Sequence, residues 1–484
     1  MERNTKRIIA IIAILAVAGA GIGVGVWFVM QPEENPYTYP GLDGQKPLSQ
    51  TIKIGVLDDM SQTGIFSYHG AILSAMQINL GGGIDINGTT YWIGLVSEDT
   101  KEASYDNDAA NAAALKMIEH KPHAILGGFR SETFEVYIQR IMDADIPYMV
   151  TGCATTRFLQ EWLGNTATRD YYKWLFRCMP LNSQHLGEHL SYLLIEEIIP
   201  RIEAHQNRSV DNMMVVYEDL IWTQEIADMV IANVSAAFPD YLGEANISEQ
   251  LIPRRGSIGG WTPSDFEVLW GSINTDGTQL VVPIISDMVY GGQFSKPYNT
   301  TKADALIAGI NVNAQSSSHW GDTEGGCEYE VTTHAIAYVN FTERSIPFYD
   351  SFINLTTQTI GIPLAPIYTG VGGGDALNLF AHAISEAQST KNTDIVAELE
   401  KIDEDNPFPG INALIGFDEN HDVLETIPEG PNQRLGFFSV PYRQYHPDGS
   451  LPIIPCGQLY DWDGFVPTES KSDLIFPDWW PAAT

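Results

Sequence analysis

Residues 52–80 read IKIGVLDDMSQTGIFSYHGAILSAMQINL, and this stretch decides the fold. Ile52 to Leu57 form an apolar, β-branched run, the pattern of a strand buried on both faces. The period then changes. Between Tyr68 and Leu80, Ala71, Ile72, Ala75, Met76 and Ile78 recur at helical spacing. A buried strand followed by such a helix is half of a β-α-β unit, and the alternation continues outward. Thr90–Ser97 is strand-like, and Asp106–Glu119 is an Ala-rich helix with Ala113, Ala114, Met117 and Ile118 on one face. Ala124–Leu126 is a short buried strand, Ser131 is placed to cap a helix running to Asp143, and Ile146–Val150 is a further strand. A second series follows: helix Gln184–Ile199, strand Asn212–Tyr217, helix Thr223–Phe238, strand Glu249–Leu251, helix Pro263–Ile273, and strands Leu280–Ile285 and Ala305–Ile310. Later come helices Asp375–Ser389 and Thr393–Ile402, with Gly372-Gly373-Gly374 read as the opening of the first. This order predicts an α/β protein with two parallel sheets, each wound by helices on both faces.

Composition narrows the function. The 484 residues include 26 Lys+Arg against 61 Asp+Glu, a net charge of −35, with only 18% charged and 44% hydrophobic. The acidity is a shortage of cations rather than an acidic run, and it argues against nucleic acid as a partner, since phosphate neutralisation needs Lys and Arg. The length suits two or three domains. Arg3, Lys6 and Arg7 precede 23 uncharged residues, Ile8 to Met30. As a helix that stretch can cross about 30 Å of hydrocarbon, with the basic end in the cytosol and the remainder outside. A signal peptide is the competing reading, with Ala16 and Ala18 near its end. Residues 31–51, rich in Pro and Gly, read as an exposed stalk. Setting aside Glu2, Arg3, Lys6 and Arg7 leaves 23 basic and 60 acidic residues in the outer part. Asn-x-Ser/Thr sequons at Asn87, Asn207, Asn233, Asn246, Asn299, Asn340 and Asn354 fit an extracellular location, and with the anchor they suggest an archaeal surface protein. Cys153, Cys178, Cys327 and Cys456 allow three pairings or free thiols.

Catalytic signatures are scarce. The sequence has no P-loop, no G-x-S-x-G elbow and no H-E-x-x-H. His185-Leu-Gly-Glu188-His189 does read H-x-x-E-H, and a helix would place its histidines one turn apart. No third ligand is visible in the sequence, so a solvated helix face is the expected role. Neither metal, cofactor nor enzymatic activity is expected.

The ordered set of short segments resembles a known family. Ile52–Leu57 with Met60-Ser61 and Tyr68 resembles the first strand and loop of the branched-chain amino-acid binding proteins. Ile78-Asn79 with Gly82-Gly83-Ile84 and Gly88 is similar to their Gly-Gly-Ile turn, and Ser97-Glu98-Asp99 to the acidic end of their second strand. Leu126-Gly127-Gly128 with Ser131, Ile146-Pro147 through Ala154-Thr155, Val215–Asp219, Ser264-Asp265-Phe266 and Asp375–Ala383 follow in order. The resemblance spans about residues 52 to 455, and it is to type I periplasmic binding proteins of ABC importers. It implies two doubly wound lobes joined by three hinge crossings, near Arg177–Leu181, Tyr338–Ser345 and Glu429–Leu435. Lobe 1 would hold 52–179 plus 343–431, lobe 2 would hold 180–342 plus 432–456, and 457–484 would form a tail.

The resemblance also implies a ligand between the lobes. Ligands of open α/β sheets bind beyond the carboxyl ends of the strands, where helix N-termini favour anions. Ser131 and Thr155 are therefore expected to hold an α-carboxylate, with Ala154 offering its carbonyl. Tyr68 aligns with an aromatic lining the pocket, and Trp222 with one closing over the ligand. Asn311 stands where the family places a Glu against the ligand ammonium, so Asp287 is the candidate to supply the missing carboxylate. Arg130 and Glu132 depart from the small polar residues expected there. The expected function is an extracytoplasmic receptor for an amino acid or related small polar solute, docking on ABC permease subunits. The alternatives are a sensory ectodomain working with a separate signalling chain and, less favoured, an amidase or metallopeptidase.

Overall fold

Two runs of buried β-branched residues organise two separate sheets. The computed structural model describes residues 35–333, 336, 338–427, 434–438, 440–454 and 472–480. The expected anchor, Ile8–Met30, lies outside the described residues, as does Cys456. Among the described residues no helix is long and apolar enough to cross a membrane.

The first sheet holds β1 (Thr51–Asp58), β2 (Ile84–Ile86), β3 (Thr89–Asp99), β4 (Ala124–Gly127), β5 (Tyr148–Val150) and β6 (Leu175–Arg177). Their order is β2-β3-β1-β4-β5-β6, parallel apart from the β2–β3 hairpin. Helices α1 (Gly64–Leu80), α2 (Asn107–Glu119) and α3 (Ser131–Asp143) follow β1, β3 and β4. After β6 the chain enters the second lobe through α4 (Ser183–Tyr192), prolonged by a π-helical turn over Leu193–Ile198 into α5 (Ile199–Gln206). Then come β7 (Met213–Glu218), α6 (Ile221–Ala237), β8 (Ile247–Ile252), α7 (Pro263–Asp276), β9 (Leu280–Ile285), α8 (Met288–Ser295), β10 (Leu306–Asn311) and β11 (Val331–Thr333). The chain next supplies α9 (Ser345–Ile360), α10 (Tyr368–Ala387) and α11 (Asn392–Leu399), and a hairpin of β12 (Phe408–Pro409) and β13 (Leu414–Ile415). It returns to the edge of the second sheet as β14 (Tyr442–Gln444), antiparallel to β11, giving the order β14-β11-β10-β9-β7-β8. β7 and β9 are buried at every residue, as parallel strands covered by helices on both faces must be.

Three expectations are corrected. The glycine triplet 372–374 lies inside α10, not ahead of it. A Cβ on Gly373 would stand 2.1 Å from the Ser67 carbonyl oxygen of α1, and one on Gly70 would stand 1.9 Å from that of Gly370. Glycines are there because the two helix backbones touch. The expected stalk is packed at residues 37–39, though residues 41–50 are exposed or half-buried: Tyr37 and Tyr39 are buried, Thr38 bridges Leu95, and the Tyr37 hydroxyl donates to the His120 carbonyl at 2.8 Å. The aromatics at alternate positions outweigh the Pro/Gly composition around them. Ser131 begins α3 but does not cap it; Arg130 holds the cap position and no side chain caps the helix.

Cys153, Cys178 and Cys327 are buried free thiols. In the tail, the Trp479 indole donates to the Ala303 carbonyl at 3.0 Å, and Phe476 stacks on His205, so residues 472–480 pack on the second lobe.

Candidate functional site

Each sheet reverses its winding at one point, and there the connections leave in opposite directions, opening a crevice. In the first sheet that point lies between β1 and β4, and in the second between β7 and β9. The residues just past these strands face one another across the lobes.

The loop after β4 is shaped by Gly127 and Gly128, with φ of +134° and +83°. A Cβ on Gly127 would lie 2.2 Å from the Leu57 carbonyl oxygen, so the loop can turn only with glycine there. Glu102 fixes the next two residues: its carboxylate accepts the Phe129 N–H at 2.8 Å and also the Arg130 N–H. Burial pushes Glu102 up to about 8, opposed by these backbone donors and reinforced by the charge of Asp58. Asp58, at the end of β1, is pushed up to about 7, again chiefly by burial.

The held loop aims Arg130 into the interlobe space. Its Nη2 donates to Asp287 Oδ2 at 3.1 Å, with each side chain about 1% exposed. Its guanidinium lies over the rings of Phe129 and Tyr105, 5.0 and 5.2 Å from their centres. Burial alone would lower its pKa, but Tyr105, Glu218, Asp287 and Glu132 together raise it, so Arg130 stays charged. Asp287 caps α8, accepting the N–H groups of Val289 and Tyr290, and takes Arg255 Nε at 2.8 Å. Glu218, at the end of β7, accepts the Asp287 N–H at 2.8 Å, and burial raises its pKa against the pull of Arg130.

Several buried polar atoms here have no hydrogen-bond partner among the described residues: Nε and Nη1 of Arg130, Oγ of Ser131, Oε2 of Glu132 and Oε1 of Glu218. Buried polar groups are normally paired, so such a concentration marks a place built for something polar. Beside it lies a cavity of about 40 Å³ whose walls include Phe129, Ala154, Trp222, Ser286 and Tyr368.

Trp222 and Ala154, both expected at the site, line this cavity. The Ala154 carbonyl accepts the Ser183 N–H at 2.6 Å. Ser131 and Asp287 are not among the cavity's walls; Asp287 pairs with Arg130, and Ser131 follows Arg130 at the start of α3. Thr155 is buried and donates to Glu225 Oε1, from α6 of the other lobe, at 3.1 Å. Glu132 accepts the Ile221 N–H at the start of α6 at 2.7 Å, so it serves a helix N-terminus of the opposite lobe. Tyr68 and Asn311 stand apart from the cavity walls. Tyr68 sits half-buried on α1, edge-on to His69. Asn311 points into the second lobe, donating to Glu330 Oε1 at 2.9 Å and Ser295 Oγ at 3.2 Å; His319 Nε2 contacts the other Glu330 oxygen at 3.0 Å.

Tyr105, Glu218, Arg255 and Tyr368 were not singled out from the sequence. Glu218 and Asp287 share a signal that was available: Glu218 ends a fully buried strand, and Asp287 follows another by two residues. Tyr105 and Tyr368 carry no such signal.

Residues 51–250 match the family model of periplasmic binding proteins. No curated protein matches the chain in sequence. Among solved structures, the branched-chain amino acid transporter substrate binding protein LivJ from Streptococcus pneumoniae, in complex with isoleucine, superposes with a TM-score of 0.62 at 16% identity, covering 83% of this chain and 97% of that one. The leucine binding protein LivK from Thermotoga maritima gives 0.61 at 16% identity over 83% and 97%. A solute binding protein of an ABC transporter from R. palustris, in complex with benzoate, gives 0.62 at 14% identity over 83% and 95%. The fold is that of the type I periplasmic binding proteins.

Proposed function

We propose that this chain is the extracytoplasmic solute-binding receptor of an ABC importer and holds a small polar solute between its lobes. One observation carries the reading. Arg130 and Asp287, buried and opposite in charge, reach the cleft from different lobes, with unpaired donors and acceptors around them. A zwitterion matches that arrangement: a carboxylate for Arg130 and Ser131, an ammonium for Asp287 and Glu218. Isoleucine and benzoate, held by similar structures, share a carboxylate. The apolar part of such a solute suits Phe129, Trp222 and Tyr368. A cavity of about 40 Å³ holds no more than two or three waters, so a solute enters only if the lobes part. The first passage between sheets, Arg177–Leu181, and the return at Tyr338–Ser345 serve as hinges; the third expected hinge falls largely outside the described residues. A helix over Ile8–Met30 would tether the receptor to the membrane with its lobes outside. The chemistry is binding, not catalysis.

A thermal-shift panel of amino acids, amides, short peptides and aromatic acids tests this. A solute at 100 times its Kd stabilises by about 2.7 kcal/mol. Trp222→Ala should abolish the shift while the unliganded variant stays folded. A panel in which no compound moves the transition would refute the small-solute reading.

A further inference from the structure

The pattern His185-Leu-Gly-Glu188-His189 lies on α4, and tertiary structure supplies the partner that the sequence could not. Glu425 comes from the segment on its way to β14. Its Oε2 meets His189 Nε2 at 3.0 Å, and its Oε1 lies 3.6 Å from His185 Nε2. Single ligand atoms of His185, Glu188 and Glu425 all lie within 4.8 Å of one another. The 3.6 Å separation is too long for a hydrogen bond. It suits two ligands of one ion: tetrahedral zinc, with bonds of about 2.0–2.2 Å, sets its ligand atoms roughly 3.3–3.6 Å apart.

A second observation points the same way. His189 Nε2 meets one oxygen of Glu425, which leaves the other turned toward His185. That is the arrangement by which an outer histidine or carboxylate orients a metal ligand. Gln184 Nε2 donates to Glu188 Oε1 at 3.0 Å and steadies the third carboxylate. His185 is a quarter exposed, so an ion reaches the site from solvent.

We propose that His185, Glu188 and Glu425 bind one divalent transition-metal ion, zinc in the first instance, with His189 positioning Glu425. Imidazole and carboxylate donors suit that class. The site is separate from the interlobe cavity. It clips α4, just past the first passage between sheets, to the segment approaching the last one. Nearby, Asp422 of the same segment accepts Arg177 Nε at 2.7 Å and Asn182 Nδ2 at 3.0 Å, so the ion would reinforce a junction that already exists.

Zinc binding to the purified chain, stripped with chelator and titrated in excess magnesium to suppress diffuse binding to its acidic surface, tests the proposal. One equivalent should bind, His185→Gln and Glu188→Gln should each weaken it about tenfold or more, and His189→Gln about 10–100-fold. His185 and Glu188 reach solvent, so circular dichroism of their variants should match the parent. Cobalt in place of zinc should give the visible spectrum of a tetrahedral nitrogen/oxygen site. Absence of a stoichiometric zinc site, or zinc affinity unchanged in the His185→Gln/Glu188→Gln double variant, would overturn it. The solute panel can fail without touching this result.

Discussion

Arg130→Met and Asp287→Asn remove the two halves of one ion pair, yet the structure predicts unequal losses. In Arg130→Met the thioether chain still packs between Tyr105 and Phe129. Asp287 keeps Arg255 at 2.8 Å and the N–H groups of Val289 and Tyr290. Glu218, already raised by burial, can take up a proton once the guanidinium charge is gone. Two unpaired donors, Nε and Nη1, disappear as well. The net cost should be about 1 kcal/mol, the scale of one hydrogen bond and a cation–π contact. Asp287→Asn is different. A guanidinium cannot shed its proton, so Arg130 stays charged and buried without its hydrogen-bonded carboxylate, offset only by the more distant charges of Glu218 and Glu132. Breaking such a pair costs about 3–5 kcal/mol. Urea unfolding followed by the fluorescence of the 11 tryptophans should separate the variants by about 2 kcal/mol or more. The double variant should be no less stable than Asp287→Asn alone, because the stranded charge is gone. Equal losses, or a larger loss for Arg130→Met, would show that the pair is not the buried, one-sided interaction described.

Two further outcomes concern the fold. Gly373→Ala forces a methyl against the Ser67 backbone at 2.1 Å and should destabilise by about 2 kcal/mol despite alanine's better helix propensity; a stabilised variant would mean that α1 and α10 do not touch there. Stability should also fall as pH rises. Asp58, Glu102 and Asp375 have folded pKa values of about 7, 8 and 7, all raised first by burial. Between about pH 4 and 8 the folded chain therefore holds protons that the unfolded chain has released, and the stability present below pH 4 drains away across that window. Asp375→Asn, which can still accept the Ile411 N–H, should flatten the curve by up to a few kcal/mol. Melting points from pH 4 to 8 for both proteins check this, and parallel curves would refute it.

The sequence by itself determined the element order and hence the class of fold. Strand-like runs such as Leu280–Ile285 and helical spacing between Tyr68 and Leu80 are local patterns, and backbone hydrogen bonding reads them without help from distant residues. Through the family resemblance of the segments that carry them, it also pointed to two cavity walls, Ala154 and Trp222. Tertiary structure decided the remainder. Gly372-Gly373-Gly374 looks like a helix start until α1 is seen pressed against it. Asn311 stands at a strand end, yet which side of the strand it faces is set by Glu330 and Ser295. Arg130 looked like a misfit beside Ser131, since its partner Asp287 lies 157 residues away. Glu425 lies 236 residues beyond His189. Charge complementarity acts over a few ångströms of space, and a linear sequence carries no record of which of its charges will be brought that close.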